Sequence, residues 1–245
     1  MKVLLRSFFI QACWNFEDMQ SVGFLYAVLP GLREIYGDDV EGLREAAKRH
    51  VEFFNAHPYL ANSAMGLALR LEVMVKEGKM DAGSVNSTKV GLMGSLGAIG
   101  DSFFWGSVKP MASILGVLVS LFSPVLGVLF MLGFYNYFHL DSRIKGFDSG
   151  LRGSEGIYRF LKEGRFAEKN EAFRGLLLVL MGVYLGYYVG SVIPHPFSLG
   201  VASVHFATCL VLVVALEFVY RKISVVSELV VFSALFVVLL SLVAR

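Results

Sequence analysis

Three short stretches set polar side chains in apolar, aromatic surroundings, where those groups have chemistry to offer. In QACWNFEDMQSVGF, Asn15, Glu17 and Gln20 stand among Trp14, Phe16, Met19 and Phe24. An aromatic face stacks on the C–H face of a sugar while amide and carboxylate groups pair with its hydroxyls, so this mixture suits a carbohydrate. Asn15 serves equally well as a helix cap with Asp18 three residues on, but that alternative does not cover Glu17 or Gln20. In RHVEFFNAHPY, Asn55 and His57 come just before Pro58. A lone His at a helix end more often answers the helix dipole or a carbonyl than a ligand, and Asn55 is equally a C-cap.

The third stretch, KVGLMGSLGAIGDSFFWG, carries Asp101 and Trp105 behind glycines at every third position from Gly91 to Gly100. Steps of three put Gly91 and Gly100 on opposite faces of an α-helix, so the spacing makes no single packing stripe. It suits backbone that is re-entrant or unwound and lines a cavity. A carboxylate facing lipid costs roughly 2.5–3.5 kcal/mol, which directs Asp101 to water, a ligand or a partner. The competing reading has Asp101 at the membrane surface, capping the helix that follows with its oxygens on N–H groups near Phe103 and Phe104.

Other chemistries lack their residues. G-x-x-G-x-x-G is neither the dinucleotide turn nor a phosphate-binding loop, and no nucleophile elbow or His-x-x-x-His spacing occurs, so no catalytic residue, metal or cofactor is expected. A net charge of +2 with acids and bases interleaved argues against a nucleic-acid surface. Cys13 and Cys209 belong to no Cys cluster and read as buried free thiols. Arg6 interrupts the first apolar run, which argues against a cleaved signal.

The elements that must position these groups belong to a membrane protein: 56% of the residues are hydrophobic and 17% charged. Residues 1–110 form an amphipathic region. In EGLREAAKRHVEFFNAHP, Leu43, Ala47, Val51 and Phe54 mark one helix face, and Arg44, Glu45, Lys48, Arg49 and Glu52 the other, with Glu45 and Arg49 as an i,i+4 pair and Pro58 as the stop. Such a helix lies at the headgroup level. Residues 111–140 form an apolar tract interrupted at Ser123-Pro124, read as one broken transmembrane element in preference to a tight pair of segments. Residues 141–174 hold eight Lys and Arg, which predicts a cytoplasmic segment. Within 175–245, Gly175–Ile193, Leu199–Tyr220 and Ser224–Ala244 are each long enough for a core of roughly 30 Å. The uncharged Pro194–Ser198 turn is expected outside, Arg221-Lys222 inside, and Glu228 is a single intramembrane acid paired with a neighbour. The fold class is thus all-α and integral to the membrane, with about three to five transmembrane helices and a glycine-rich re-entrant or broken segment.

In that order, WNFEDMQSVGF, RHVEFFNAHPY and KVGLMGSLGAIGDSFFWGSVKP resemble the IID component of the mannose/fructose/sorbose family of the bacterial phosphotransferase system. The family pattern is similar to W-N-x-x-R-M-Q, R-H-x-x-F-F-N-x-x-P and K-x-G-L-M-G-P-L-A-G-x-G-D. Trp14, Asn15, Met19, Gln20, Arg49, His50, Phe53, Phe54, Asn55, Pro58, Gly94, Gly100 and Asp101 fit it, while Asp18, Ser95 and Gly97-Ala98 depart from it. The resemblance implies a multi-pass subunit of the bacterial inner membrane, working in an oligomeric complex. With a IIC subunit it forms the path for a hexose, which IIB, charged by IIA, phosphorylates on entry. It also implies that none of the five histidines carries phosphate. The substrate-binding candidates are Trp14, Asn15, Glu17, Gln20, Asn55, His57, Asp101 and Trp105. A proton-coupled transporter acting alone through Asp101 or Glu228, and a purely structural partner of IIC, are the alternative functions.

Overall fold

The computed structural model describes residues 1–192, and over these the chain is helical apart from turns and two isolated bridges. A first compact unit runs from Met1 to Gly175, and a second begins at Leu176. The expected spans 199–220 and 224–244, the Pro194–Ser198 turn, Cys209, Arg221-Lys222 and Glu228 lie outside the described residues.

Short α1 (Lys2–Ser7) leads through a turn to α2 (Ser21–Tyr36) and α3 (Val40–His50). Asp39 caps α3, its carboxylate accepting from Gly42 N at 2.9 Å. The expected helix through Phe54 is shorter than its apolar spacing suggests. It stops at His50, and the chain then runs through a bend, a short extended stretch and a turn over 58–60 to α4 (Ala61–Lys76). His57 and Asn55 therefore do not sit at a helix end, and the residue before Pro58 is biased toward extended backbone in any case.

At the centre lies α4, whose residues Ala61–Leu69 are all buried. It crosses α7 (Pro124–Leu151) where Gly66 meets the Phe147 carbonyl and Gly150 meets that of Ser63. A methyl at either position would strike backbone, so glycine is what permits this approach.

Between α4 and α7 the chain makes one helical run from Gly83 to Ser120, comprising α5 (Gly83–Gly100), a π-helix (Asp101–Val108) and α6 (Lys109–Ser120). The glycine stretch is thus continuous helix and not unwound backbone, which corrects that part of the expectation from its spacing. Gly91, Gly94 and Gly97 face open space while Gly100, on the opposite side, packs against His57. Among the described residues this 38-residue run is the one helix long and apolar enough to cross a membrane, about 57 Å at 1.5 Å per residue.

The apolar tract after it also differs from the expectation of one broken element. The run ends, Ser123 accepts from Leu126 N as the cap of α7 with Pro124 in its first turn, and α7 returns along α6 with Gly127 against Gly116. The stretch 141–174 contains the end of α7, then α8 (Ser154–Gly164) and the start of α9 (Phe166–Val192). Within the second unit, the described part of α9 is apolar, with exposed Leu176, Val179, Met181, Val183 and Leu185.

Candidate functional site

The residues Phe54 to Tyr59 form the floor on which several candidates meet. Asn15 Oδ1 accepts from Glu17 N at 2.9 Å and Asp18 N at 2.8 Å, closing a tight turn in which Met19 takes a left-handed φ of 56°. This is the capping role weighed for Asn15, performed for a turn instead of a helix. Met19 bridges to Phe54, and Gln20 N donates to Phe54 O at 2.8 Å. Gln20 is buried and pairs with the backbone of Ala56 both ways, Nε2 donating to the carbonyl at 2.8 Å and Oε1 accepting from the amide at 3.3 Å. Both hydrogen-bonding ends of that amide are taken, so it staples the floor in place.

His57 is 1% exposed on this floor. Its Nδ1 accepts from Tyr59 N at 3.3 Å, which assigns the proton to Nε2, and Nε2 has no partner. Its ring lies 4.8 Å from Phe104, nearly parallel to it, and 5.0 Å from Trp105. Burial, with the nearby Arg143 and His139, pushes its pKa down to about 3, so the imidazole is neutral.

Asp101 follows Gly100 and opens the π-helix, a wide turn held by i to i+5 bonds that often marks functional sites. It is exposed inside a continuous helix and makes no cap, so the capping alternative does not describe it. Trp105 is 40% exposed, with the Lys109 ammonium 5.3 Å from its ring centroid. The structure therefore gathers His57, Trp105 and the backbone leading to Asp101, with Gln20 and Asn55 on the adjoining floor. Asn55 is exposed and its N–H approaches Met93 Sδ at 3.1 Å. Trp14 instead meets Phe16, ring centroids 4.7 Å apart, and Glu17 is exposed on the turn. Cys13 is exposed too, contrary to the buried thiol expected of it.

Sequence reasoning missed two buried polar centres. Glu72 is fully buried and accepts from Tyr36 Oη and Arg49 Nη2, both at 2.7 Å, and from Arg49 Nε at 3.2 Å. His50 Nε2 stands 2.9 Å from the same carboxylate, off line for a hydrogen bond. Burial works to raise the Glu72 pKa, but the close approach of His50 and the hydrogen bonds from Arg49 and Tyr36 prevail and hold it at about 2. Arg49 thus turns inward, and Glu45 pairs with Lys48 at 2.6 Å instead of with Arg49 as expected. Lys89 Nζ donates to the Arg49 carbonyl at 2.9 Å. The signal available in the sequence was Glu72 itself, one acid in the apolar helix LALRLEVMV.

The second centre is Arg143, 4% exposed, whose partners are all neutral. Nη1 donates to Ser7 O and Oγ, both at 2.9 Å, and Nε to His139 Nε2 at 2.7 Å, while the guanidinium lies 5.1 Å from the Tyr59 ring centroid. It joins α1, α4 and α7 beneath the floor. Among the described residues no group of His, Cys, Asp and Glu could hold a metal ion.

The family model of the PTS system mannose/fructose/sorbose family IID component matches residues 1–243 of this chain. The mannose-specific EIID component of Escherichia coli K12 is 35% identical over 193 residues, 78% of this chain and 68% of that protein. The fructose permease IID component of Bacillus subtilis is 29% identical over 78% of this chain and 70% of its own length. Among solved structures, a chain in the cryoEM structure of the mannose transporter ManYZ with microcin E492 superposes with a TM-score of 0.60 at 29% identity, covering 99% of this chain and 94% of that one. A second, described as a membrane protein, superposes at 0.67 and 28% identity over 96% and 93%.

Proposed function

Because the chain belongs to the mannose/fructose/sorbose family of IID components and is the IID subunit of a phosphotransferase-system permease, we propose that it lines the path of a hexose together with a IIC subunit. The sugar is phosphorylated on entry by IIB, which IIA recharges. The subunit itself transfers no phosphoryl group. It is an integral protein of the bacterial inner membrane, multi-pass, and works in an oligomeric complex.

One observation carries the site: the unpartnered Nε2–H of buried His57, beside Trp105 and against Gly100, the residue before Asp101. A buried donor without an acceptor costs about 1–3 kcal/mol, and a sugar hydroxyl would recover that cost. Trp105 offers a face for the sugar's C–H groups, and the Asp101 carboxylate accepts from its hydroxyls. Asn55 stands beside these on the floor. Gln20, Asn15 and Trp14 hold the floor and its turn, and Glu17 is available at the rim.

Uptake of D-mannose, D-fructose and L-sorbose into cells expressing the chain with its IIC, IIB and IIA tests the reading. Phosphoenolpyruvate-dependent appearance of the sugar phosphate is expected, abolished without this chain. Uptake driven by a proton gradient without IIC would overturn it.

A further inference from the structure

The π-helix is held from outside by one amide. Asn170, on the part of α9 within the first unit, donates from Nδ2 to Ser102 Oγ at 2.8 Å, and its Oδ1 accepts from Ser107 Oγ. Ser102 and Ser107 are five residues apart. On an α-helix of 3.6 residues per turn they would point about 140° away from each other. A π turn, closed by i to i+5 bonds, brings residues five apart back to one side. A single amide reaches both hydroxyls only while this turn is π.

We propose that Asn170 is a positioning residue whose amide latches the π register and so sets Trp105 beside His57. The residues between the two serines are wedged on both sides. Phe103 packs edge-on against Phe166 of α9, centroids 5.1 Å apart, and Phe104 stacks on His57. Reversion to α removes the extra residue from the turn and rotates everything after it by about 100° relative to α5. Trp105 would then swing away from His57, and Ser107 out of reach of Asn170. The functional consequence rests on the sugar-site reading above, whereas the latch is measurable without sugar.

The experiment uses the complex with its IIC, labelled with 5-fluorotryptophan, with the Trp105 resonance identified by its loss in Trp105→Phe. Asn170→Ala is expected to shift or split that resonance, and adding Ser102→Ala to it should bring no further change, whereas Ser107 keeps its bond to the backbone carbonyl of residue 170 at 3.4 Å. The KM for D-mannose should rise about threefold or more at little cost in kcat, as the loss of pre-set binding geometry requires. If Asn170→Ala fails to assemble, Ser102→Ala removes one arm at an exposed position and should give the smaller shift. A Trp105 resonance unmoved by loss of either arm overturns the latch. A resonance that moves while KM for all three sugars holds leaves the latch standing and removes the sugar site.

Discussion

His57 owes its properties to one near neighbour and two distant ones: the Tyr59 N–H two residues on selects its tautomer, while Phe104 covers its face and Gly100 leaves room for its Cβ. His57→Phe keeps a ring and deletes the donor. Phosphoenolpyruvate-dependent uptake of D-mannose should show KM raised by about 5- to 100-fold, the equivalent of one lost buried bond, with His57→Gln recovering part of it. The same burial makes stability depend on pH. The folded pKa lies near 3 and the ordinary value is 6.5, so the unfolded chain binds the extra proton between them. Stability is whole above about pH 6.5 and falls toward pH 3, by up to about 1.4 kcal/mol per pH unit for this group. Glu72 adds an acid limb of the same sign, its contribution present above 4.5 and lost as pH falls to about 2. The thermal midpoint of the purified complex should therefore drop on acidification, less steeply in His57→Gln. At neutral pH, Glu72→Gln should cost up to about 3 kcal/mol, because the partly buried Arg49 is left without its counter-charge.

The glycine run shows how an element can disguise itself. Its period of three reads as irregular backbone, yet it folds as helix because Gly91, Gly94 and Gly97 merely leave one face bare, while Val85, Lys89, Met93 and Leu96 supply the buried one. Gly100 alone among these four is pinned, against His57. Gly100→Ala should lower the thermal midpoint by the equivalent of about 1–3 kcal/mol through overpacking. Gly94→Ala should leave the chain's own stability unchanged or raise it by up to about 1 kcal/mol, since alanine is the better helix former. A reversed order in the two midpoints would contradict the helical placement. The period of 3.6 in the α3 region similarly pointed past the helix end, because Phe54 is held by its backbone bridge to Met19 and buried against Phe24, and not by a helical face.

For the molecule as a whole, the eight Lys and Arg of residues 141–174 argue that α8 faces the cytoplasm, the side from which IIB would approach. In a background lacking Cys13, which is exposed, and Cys209, a cysteine at Ser154 should react with a membrane-impermeant thiol reagent only in permeabilised cells, and one at Ser198 in intact cells. The opposite pattern would invert the subunit. Composition sufficed for a helical membrane protein, since apolar content and basic-loop bias are one-dimensional quantities that lipid enforces directly. The three motif blocks likewise sufficed for the family, with its order and most of its residues readable by eye. The pairing of Glu72 with Arg49 and Tyr36, the neutral cradle of Arg143, the π turn at Asp101 and its clasp by Asn170 were decided only by the tertiary structure. Each depends on which helices cross and at what register, and a hydrogen bond between residues 23, 68 or 136 positions apart leaves no spacing for a sequence to display.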